Sequence, residues 1–180
     1  FEQAGDASQA ADLYRAAGES ARAAECFERS GRFESAAECR ALLGESAREA
    51  ELLGKAGLFL RAAELHQREG RSDEAIRMLQ QIAPETADFA AASALLGSIF
   101  SQGGKHSLAI KQLEAALAGQ APARPNAKVF YQLACCCEAT GEWRRACEIY
   151  EGIQTLDYHY GDVAERLERA RAALAREQAA

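Results

Sequence analysis

Six cysteines and three histidines carry most of the chemical potential of this chain. The thiols are Cys26, Cys39, Cys135, Cys136, Cys137 and Cys147, and the imidazoles are His66, His106 and His159. A structural zinc site needs such ligands in closely spaced pairs, and a dithiol redox centre needs a defined cysteine pair. No pair here has zinc-finger or redox spacing, and the three histidines lie far apart. Cys135 as a nucleophile would need a histidine nearby to take its proton, and none is close in sequence. No glycine-rich phosphate loop occurs, and no serine has an identifiable base. The expectation is therefore a protein that is not an enzyme and holds no metal or cofactor. Cys26 and Cys39 then read as small apolar core residues of a reduced, cytoplasmic protein. His66 falls on a core slot and reads as a packed histidine. Three consecutive cysteines cannot all face inward on a helix, so one of Cys135–Cys137 is expected to be accessible.

The elements that would position these residues are set by glycine. Gly5, Gly18, Gly31, Gly44, Gly57 and Gly70 follow one another at intervals of thirteen, and fixed-period self-similarity marks a repeat array. Five and six residues after a glycine come small residues, as in Ala10–Ala11, Ala23–Ala24, Ala36–Ala37 and Ala62–Ala63. Eight and nine after it come larger apolar ones, as in Leu13–Tyr14, Cys26–Phe27, Leu52–Leu53 and Leu79. Offsets of three and four place both sets on one helix face, with alanines allowing close approach and bulky residues filling the gaps. Glycine suits the reversal because it enters the left-handed region without steric cost. About eleven residues remain per helix, too few for stability without packing. Ser20, Ser46 and Ser72 follow alternate glycines by two and are expected to cap helices. Phe33 and Phe59 fill the same offset in between, so the true period is a 26-residue helical hairpin. Phe59 is expected to be buried between hairpins.

The sequence reads as all-α, with nothing alternating at period two and proline at three sites. The net charge of −6, with Arg and Glu interleaved and no basic run, argues against nucleic acid as a partner. No apolar stretch reaches membrane-spanning length, so no membrane insertion is expected. Phe1 sits four residues before Gly5, the slot that Tyr14 and Phe27 fill before their own glycines. This start is expected to lie inside a helix of an earlier repeat in a longer array.

At Pro84 the thirteen-residue beat stops. The next hairpin carries Leu96-Gly97, Phe100, Gly104, Ala109, Leu113 and Ala116. After Pro122–Pro125 another carries Phe130, Leu133-Ala134, Cys137, Gly141, Ala146, Tyr150 and Ile153. This spacing resembles the tetratricopeptide repeat, and Gly18, Gly44 and Gly70 fall in its turn slot. Ser93, Arg40 and His66 depart from its aromatic positions. Helical arrays of membrane-trafficking adaptors share the Tyr-x-x-Ala-Gly beat. The resemblance implies a right-handed α-solenoid. Residues 1–83 would form short-helix hairpins and 84–161 two full-length repeats. Residues 162–180 would form a capping helix, with Asp162 as its cap and Val163, Leu167, Ala170 and Leu174 as its stripe.

In tetratricopeptide arrays the first helix of each hairpin lines a concave groove. Matching the repeats puts Asp12, Glu38 and Glu64 at one groove position, continued by Ser98 and Cys135. Arg15, Gln67, Gln102 and Glu138 lie about one turn on, and Glu34 and Tyr131 one turn back. The groove should be acidic over the short-helix half. The Lys, Arg and Asn of the family's basic carboxylate clamp are absent at these positions. The resemblance implies a scaffold or adaptor for a protein partner: a peptide, a helix or a small globular protein. Arg over Lys and heavy Ala use fit a high-GC bacterium. There, such arrays serve signalling, polarity and motility, with a small GTPase or response regulator as the partner. The rival reading is a structural spacer or self-association segment.

Overall fold

The computed structural model describes residues 7–179. Phe1 and Gly5, on which the reading of the chain's start rests, lie outside them. The described residues form eleven α-helices and no strand, an α-solenoid of stacked hairpins. Contacts divide the chain into two units, Phe1–Ala83 and Pro84–Ala180.

The first unit holds α1 (Ala7–Ala16), α2 (Ser20–Arg29), α3 (Phe33–Leu42), α4 (Ser46–Lys55), α5 (Phe59–Arg68) and α6 (Ser72–Leu79). Each helix packs on the next. The turn glycines Gly18, Gly31, Gly44, Gly57 and Gly70 sit at φ from +72° to +78°. At the first turn the Gly18 N–H donates to the Arg15 carbonyl at 3.1 Å and the Glu19 N–H to the Tyr14 carbonyl at 2.9 Å. These two bonds satisfy carbonyls that the helix end leaves open, and every later turn of this unit repeats them.

This closure corrects the capping expectation. The residue after each glycine ends one helix and also starts the next: the Glu19 carbonyl accepts from the Ala23 N–H at 3.0 Å. The N-cap positions are therefore Glu19, Arg32, Glu45, Leu58 and Arg71, none of which caps with its side chain. Ser20, Ser46 and Ser72 are already the first helical residues, one position too late to cap.

The core is the buried alanine pairs Ala23–Ala24, Ala36–Ala37 and Ala62–Ala63 with Cys26, Phe27, Cys39, Leu52, Leu53 and Leu65. Full burial of a side chain such as Phe27 contributes roughly 2–3 kcal/mol. Two expectations fail. Leu13 is 60% exposed, although its equivalents Cys39 and Leu65 are buried. Phe59 is only half-buried, like Phe33 at the equivalent position, and its ring walls a cleft with Ala50 and Gly54.

The second unit holds α7 (Phe89–Gln102), α8 (His106–Leu117), α9 (Ala127–Thr140), α10 (Trp143–Leu156) and α11 (Val163–Gln178). Gly104 and Gly141 close their helices with the same bond pair. Gly97 serves a different end. A Cβ there would meet Cγ and Cδ2 of buried Leu113 at 2.6 and 2.7 Å, so α7 and α8 approach closely only over glycine. Tyr150, Leu113, Ile153, Val163 and Leu167 are fully buried at the centre. The α11 stripe is as read: Val163, Leu167 and Ala170 are buried and Leu174 packs beside them. On its outer face Glu165 and Arg169 pair at 3.8 Å.

Candidate partner-binding surface

Side-chain ties run between alternate helices and define two layers. In the first unit Arg32, just before α3, reaches Asp12 of α1 at 2.7 Å and Ser8 at 3.2 Å, and Arg61 of α5 reaches Glu34 of α3 at 2.8 Å. On the other layer Arg48 of α4 bonds Glu28 of α2. In the second unit Gln132 of α9 donates to Ser98 of α7 at 3.4 Å, and Arg166 of α11 pairs with Glu138 of α9 at 2.7 Å. Odd-numbered helices thus form one layer of each unit and even-numbered helices the other. The residues assigned to the groove all lie on odd-numbered helices.

The three acids of the first unit do not share one electrostatic state. Asp12 is held by Arg15 at 2.8 Å and Arg32 at 2.7 Å. Both guanidiniums also lie over the Phe27 ring, at 5.1 and 4.6 Å from its centroid, which fixes them in place. Twenty-six residues on, Arg15 becomes Ala41 and Arg32 becomes Leu58, so Glu38 loses both cations. At the third repeat they become Gln67 and Pro84, and Glu64 loses them too. Glu38 and Glu64 are exposed and make no ion pair among the described residues. The expected three-acid column is thus two free carboxylates beside one compensated one. Glu34 is compensated by Arg61, and Gln67 accepts from the Ser72 hydroxyl at 3.4 Å.

In the second unit Tyr131, Cys135 and Glu138 come together on α9, half-buried beneath α11. The Tyr131 hydroxyl donates to Asp162 at 2.5 Å and accepts from Arg166 Nε at 3.1 Å. Arg166 Nε also bonds Asp162 at 2.9 Å. Burial, and then the hydrogen bond that the hydroxyl donates to the Asp162 carboxylate, push the Tyr131 phenol up to about 12. The hydrogen bond from Tyr131, with help from Arg166, holds the Asp162 carboxyl below its usual range. Asp162 does stand at the N-cap of α11, but its side chain makes no capping bond because Tyr131 and Arg166 engage it. Tyr131 is therefore not a free aromatic anchor. Ser98 is half-buried and Gln102 exposed, both on α7.

Among the thiols Cys135 is partly accessible and the other five are buried, as three consecutive cysteines on one helix require. The Tyr150 hydroxyl donates to Cys135 Sγ at 3.5 Å. His66 is half-buried rather than enclosed; its Nδ1 accepts from Arg71 Nε at 3.1 Å, and burial followed by the Arg71 charge lowers its pKa. Among the described residues no group of three His, Cys, Asp or Glu is placed to hold a metal ion. No helix among them is long and apolar enough to cross a membrane.

Two stretches match models of the tetratricopeptide repeat: residues 58–83 and residues 129–164. No curated protein matches the sequence. Solved structures with the same fold include YrrB, described as a TPR protein with an unusual peptide-binding site. It is 15% identical with a TM-score of 0.65, and 93% of each chain is covered. The first TPR of Spaghetti (RPAP3), bound to the HSP90 peptide SRMEEVD, is 18% identical with a TM-score of 0.56, covering 66% of this chain and 94% of that one. A TPR repeats protein from Bacteroides fragilis is 12% identical with a TM-score of 0.57, covering 96% and 99%. At these identities the likeness is one of fold. Together with the repeat matches it makes the chain a tetratricopeptide-like helical repeat protein.

Proposed function

We propose that the chain is a protein-interaction module whose partner docks on the odd-helix layer of the first unit, the layer that lines the concave groove in tetratricopeptide arrays. The observation that carries this is the pair of uncompensated carboxylates, Glu38 and Glu64, at equivalent positions of α3 and α5. Beside them the same layer offers apolar surface: Leu42, one turn on from Glu38, is 77% exposed, and Leu60 lies one turn back from Glu64. An acid pair flanked by leucines fits a basic amphipathic helix or the basic face of a small globular protein, the description a small GTPase or response regulator would have to meet. Opposite charge there steers the encounter and sets register. Peptide-bound and peptide-binding relatives of the same fold support the reading. Catalysis has no part in it, and the protein would act in the cytoplasm.

The test uses the unequal charges. Glu38→Lys with Glu64→Lys should abolish capture of the partner and the salt dependence of that capture, with helicity retained. Asp12→Lys should act through its neighbours only, because Arg15 and Arg32 already neutralise Asp12. Equal effects of all three would refute the reading. If the double reversal leaves binding intact, the partner sits elsewhere. A second reading, self-association, draws on Leu42 and Leu43, which are 77% and 41% exposed at the α3–α4 turn. A concentration-dependent sedimentation coefficient that Leu42→Ser removes would select it.

A further inference from the structure

In the second unit two opposite charges line one cavity without pairing with each other. The first is Arg124, in the loop from α8 to α9. That loop is tied down. Pro125 restricts the backbone of Arg124 before it. The Asn126 side chain accepts from the Ala123 N–H at 2.7 Å and donates to the Ala121 carbonyl at 3.2 Å. Pro122 rests on α10, where a Cβ at Gly152 would meet its Cγ at 3.0 Å, so the loop seats closely only over glycine.

The second charge is Asp157, the C-cap of α10. The C-terminal end of a helix is the negative end of its dipole, so a carboxylate there has the unfavourable sign. The last turn of α10 holds no basic residue to offset it. The Asp157 carboxylate accepts from the His159 N–H at 3.0 Å and meets no cation among the described residues. Arg124 likewise meets no carboxylate among them. The cavity that both residues line measures about 390 Å³. Its other walls are the buried Ala127 and Ile153 and the half-buried Leu156 and Tyr160.

We propose that this cavity binds a free α-amino acid with an aliphatic side chain. The ligand carboxylate lies on Arg124, its ammonium on Asp157, and its side chain over Ile153, Leu156 and Tyr160. Guanidinium and carboxylate form charge-assisted bonds of matched geometry. An ammonium at Asp157 also offsets the negative end of α10. A ligand with one charge only would meet a like charge in the same cavity, whereas a zwitterion meets two opposite ones. The volume lies in the lower part of the range of small-molecule sites, and apolar walls with a few polar groups are their usual make-up. Both charged side chains are exposed, so each contact is screened and the affinity is roughly millimolar. The site belongs to the second unit and the docking acids Glu38 and Glu64 to the first, so the two proposals are tested independently.

L-Leucine is the probe, titrated into the 15N-labelled full chain with the amides of Ala127, Asp157 and His159 as reporters. The controls are 4-methylpentanoate, which is leucine without the ammonium, and 3-methylbutylamine, which is leucine without the carboxylate. Each should bind about tenfold or more weakly than leucine. Arg124→Gln should weaken leucine to the level of 3-methylbutylamine and leave 3-methylbutylamine itself unchanged. Asp157→Asn keeps an oxygen for the His159 N–H and should weaken leucine to the level of 4-methylpentanoate. A Trp143 unfolding transition equal to the parent's checks that the variants fold, and the ligand series tests the proposal without them. Binding of either control as tight as leucine, leucine binding unaltered in both variants, or no shift of the three amides with leucine would each overturn the assignment.

Discussion

Three glycines should respond to the same substitution, alanine, with different signs. Gly44 sits at φ +72° with open space around its Cα, so only the backbone matters there. A left-handed alanine costs roughly 1–2 kcal/mol, offset by about 0.4–1 kcal/mol from the stiffer unfolded chain. Gly44→Ala should therefore destabilise by about 0.5–1 kcal/mol. Gly54 is helical, and its added methyl meets nothing nearer than Met78 Sδ at 3.4 Å. Gly54→Ala should stabilise by about 0.5–1 kcal/mol through helix propensity. Gly97 is also helical, yet its methyl would lie 2.6–2.7 Å from the buried Leu113 branch point and methyl. Overpacking of about 1–3 kcal/mol then exceeds the propensity gain, and Gly97→Ala should destabilise by about 1–2 kcal/mol. Urea unfolding reads these values as midpoint shifts. The single tryptophan, Trp143, reports the second unit by fluorescence, while circular dichroism at 222 nm reports the whole chain. Gly97→Ala should lower the fluorescence midpoint by roughly 0.5–1 M urea. A Gly97→Ala protein whose Trp143 midpoint equals the parent's would refute the close α7–α8 approach.

Acid should loosen the first unit in a defined window. Burial raises the Glu28 pKa, but hydrogen bonds from Arg48 and Arg40 outweigh it, so the folded value lies below the ordinary 4.5. The stabilisation is then present above 4.5 and is lost as pH falls through the lower folded value. Unfolding midpoints should drop below pH 4.5, and Glu28→Gln should be less stable near neutrality with a flatter acid limb. Under native conditions a thiol reagent should label Cys135 first, with the five buried cysteines reacting only on unfolding; mass spectrometry of the labelled peptides decides it. Tyr131→Phe removes a hydroxyl that joins α9 to Asp162 and Arg166, at a cost of about 1–3 kcal/mol in the Trp143 transition. Unchanged stability would mean that the buried stripe of α11 alone secures it.

The hairpins, their boundaries and most of the core were legible because they depend on period. A thirteen-residue glycine beat constrains where helices end, and offsets of three and four constrain which face is buried. The failures came where one residue serves two elements. Nothing in the spacing of Ser20 shows that Glu19 closes α1 and opens α2 at once, which leaves the serine inside the helix. Phe59 sits at the first position of α5, as Phe33 does in α3, and both rings are only half-buried there, which the offset from the glycine does not show. The α11 ties were hidden for a similar reason. Asp162 reads as a helix cap, and only the packing of Val163 and Leu167 brings it and Arg166 over Tyr131 and Glu138.

Part of what the structure revealed was nonetheless written in the differences between repeats rather than in their likeness. A repeat array holds each position in nearly the same surroundings several times, so a change at one copy isolates what that side chain does. Asp12, Glu38 and Glu64 occupy one slot, but only Asp12 is paired, because Arg15 and Arg32 are followed by Ala41 and Leu58. The acidic surface therefore grows along the unit by loss of cations rather than by gain of acids. The stacking alanines and turn glycines are retained, so the fold tolerates the change. What varies is whether a repeat satisfies its own charges. Where it does, the surface is closed to electrostatic recognition; at Glu38 and Glu64 it does not, which is why the proposed docking layer is drawn through them.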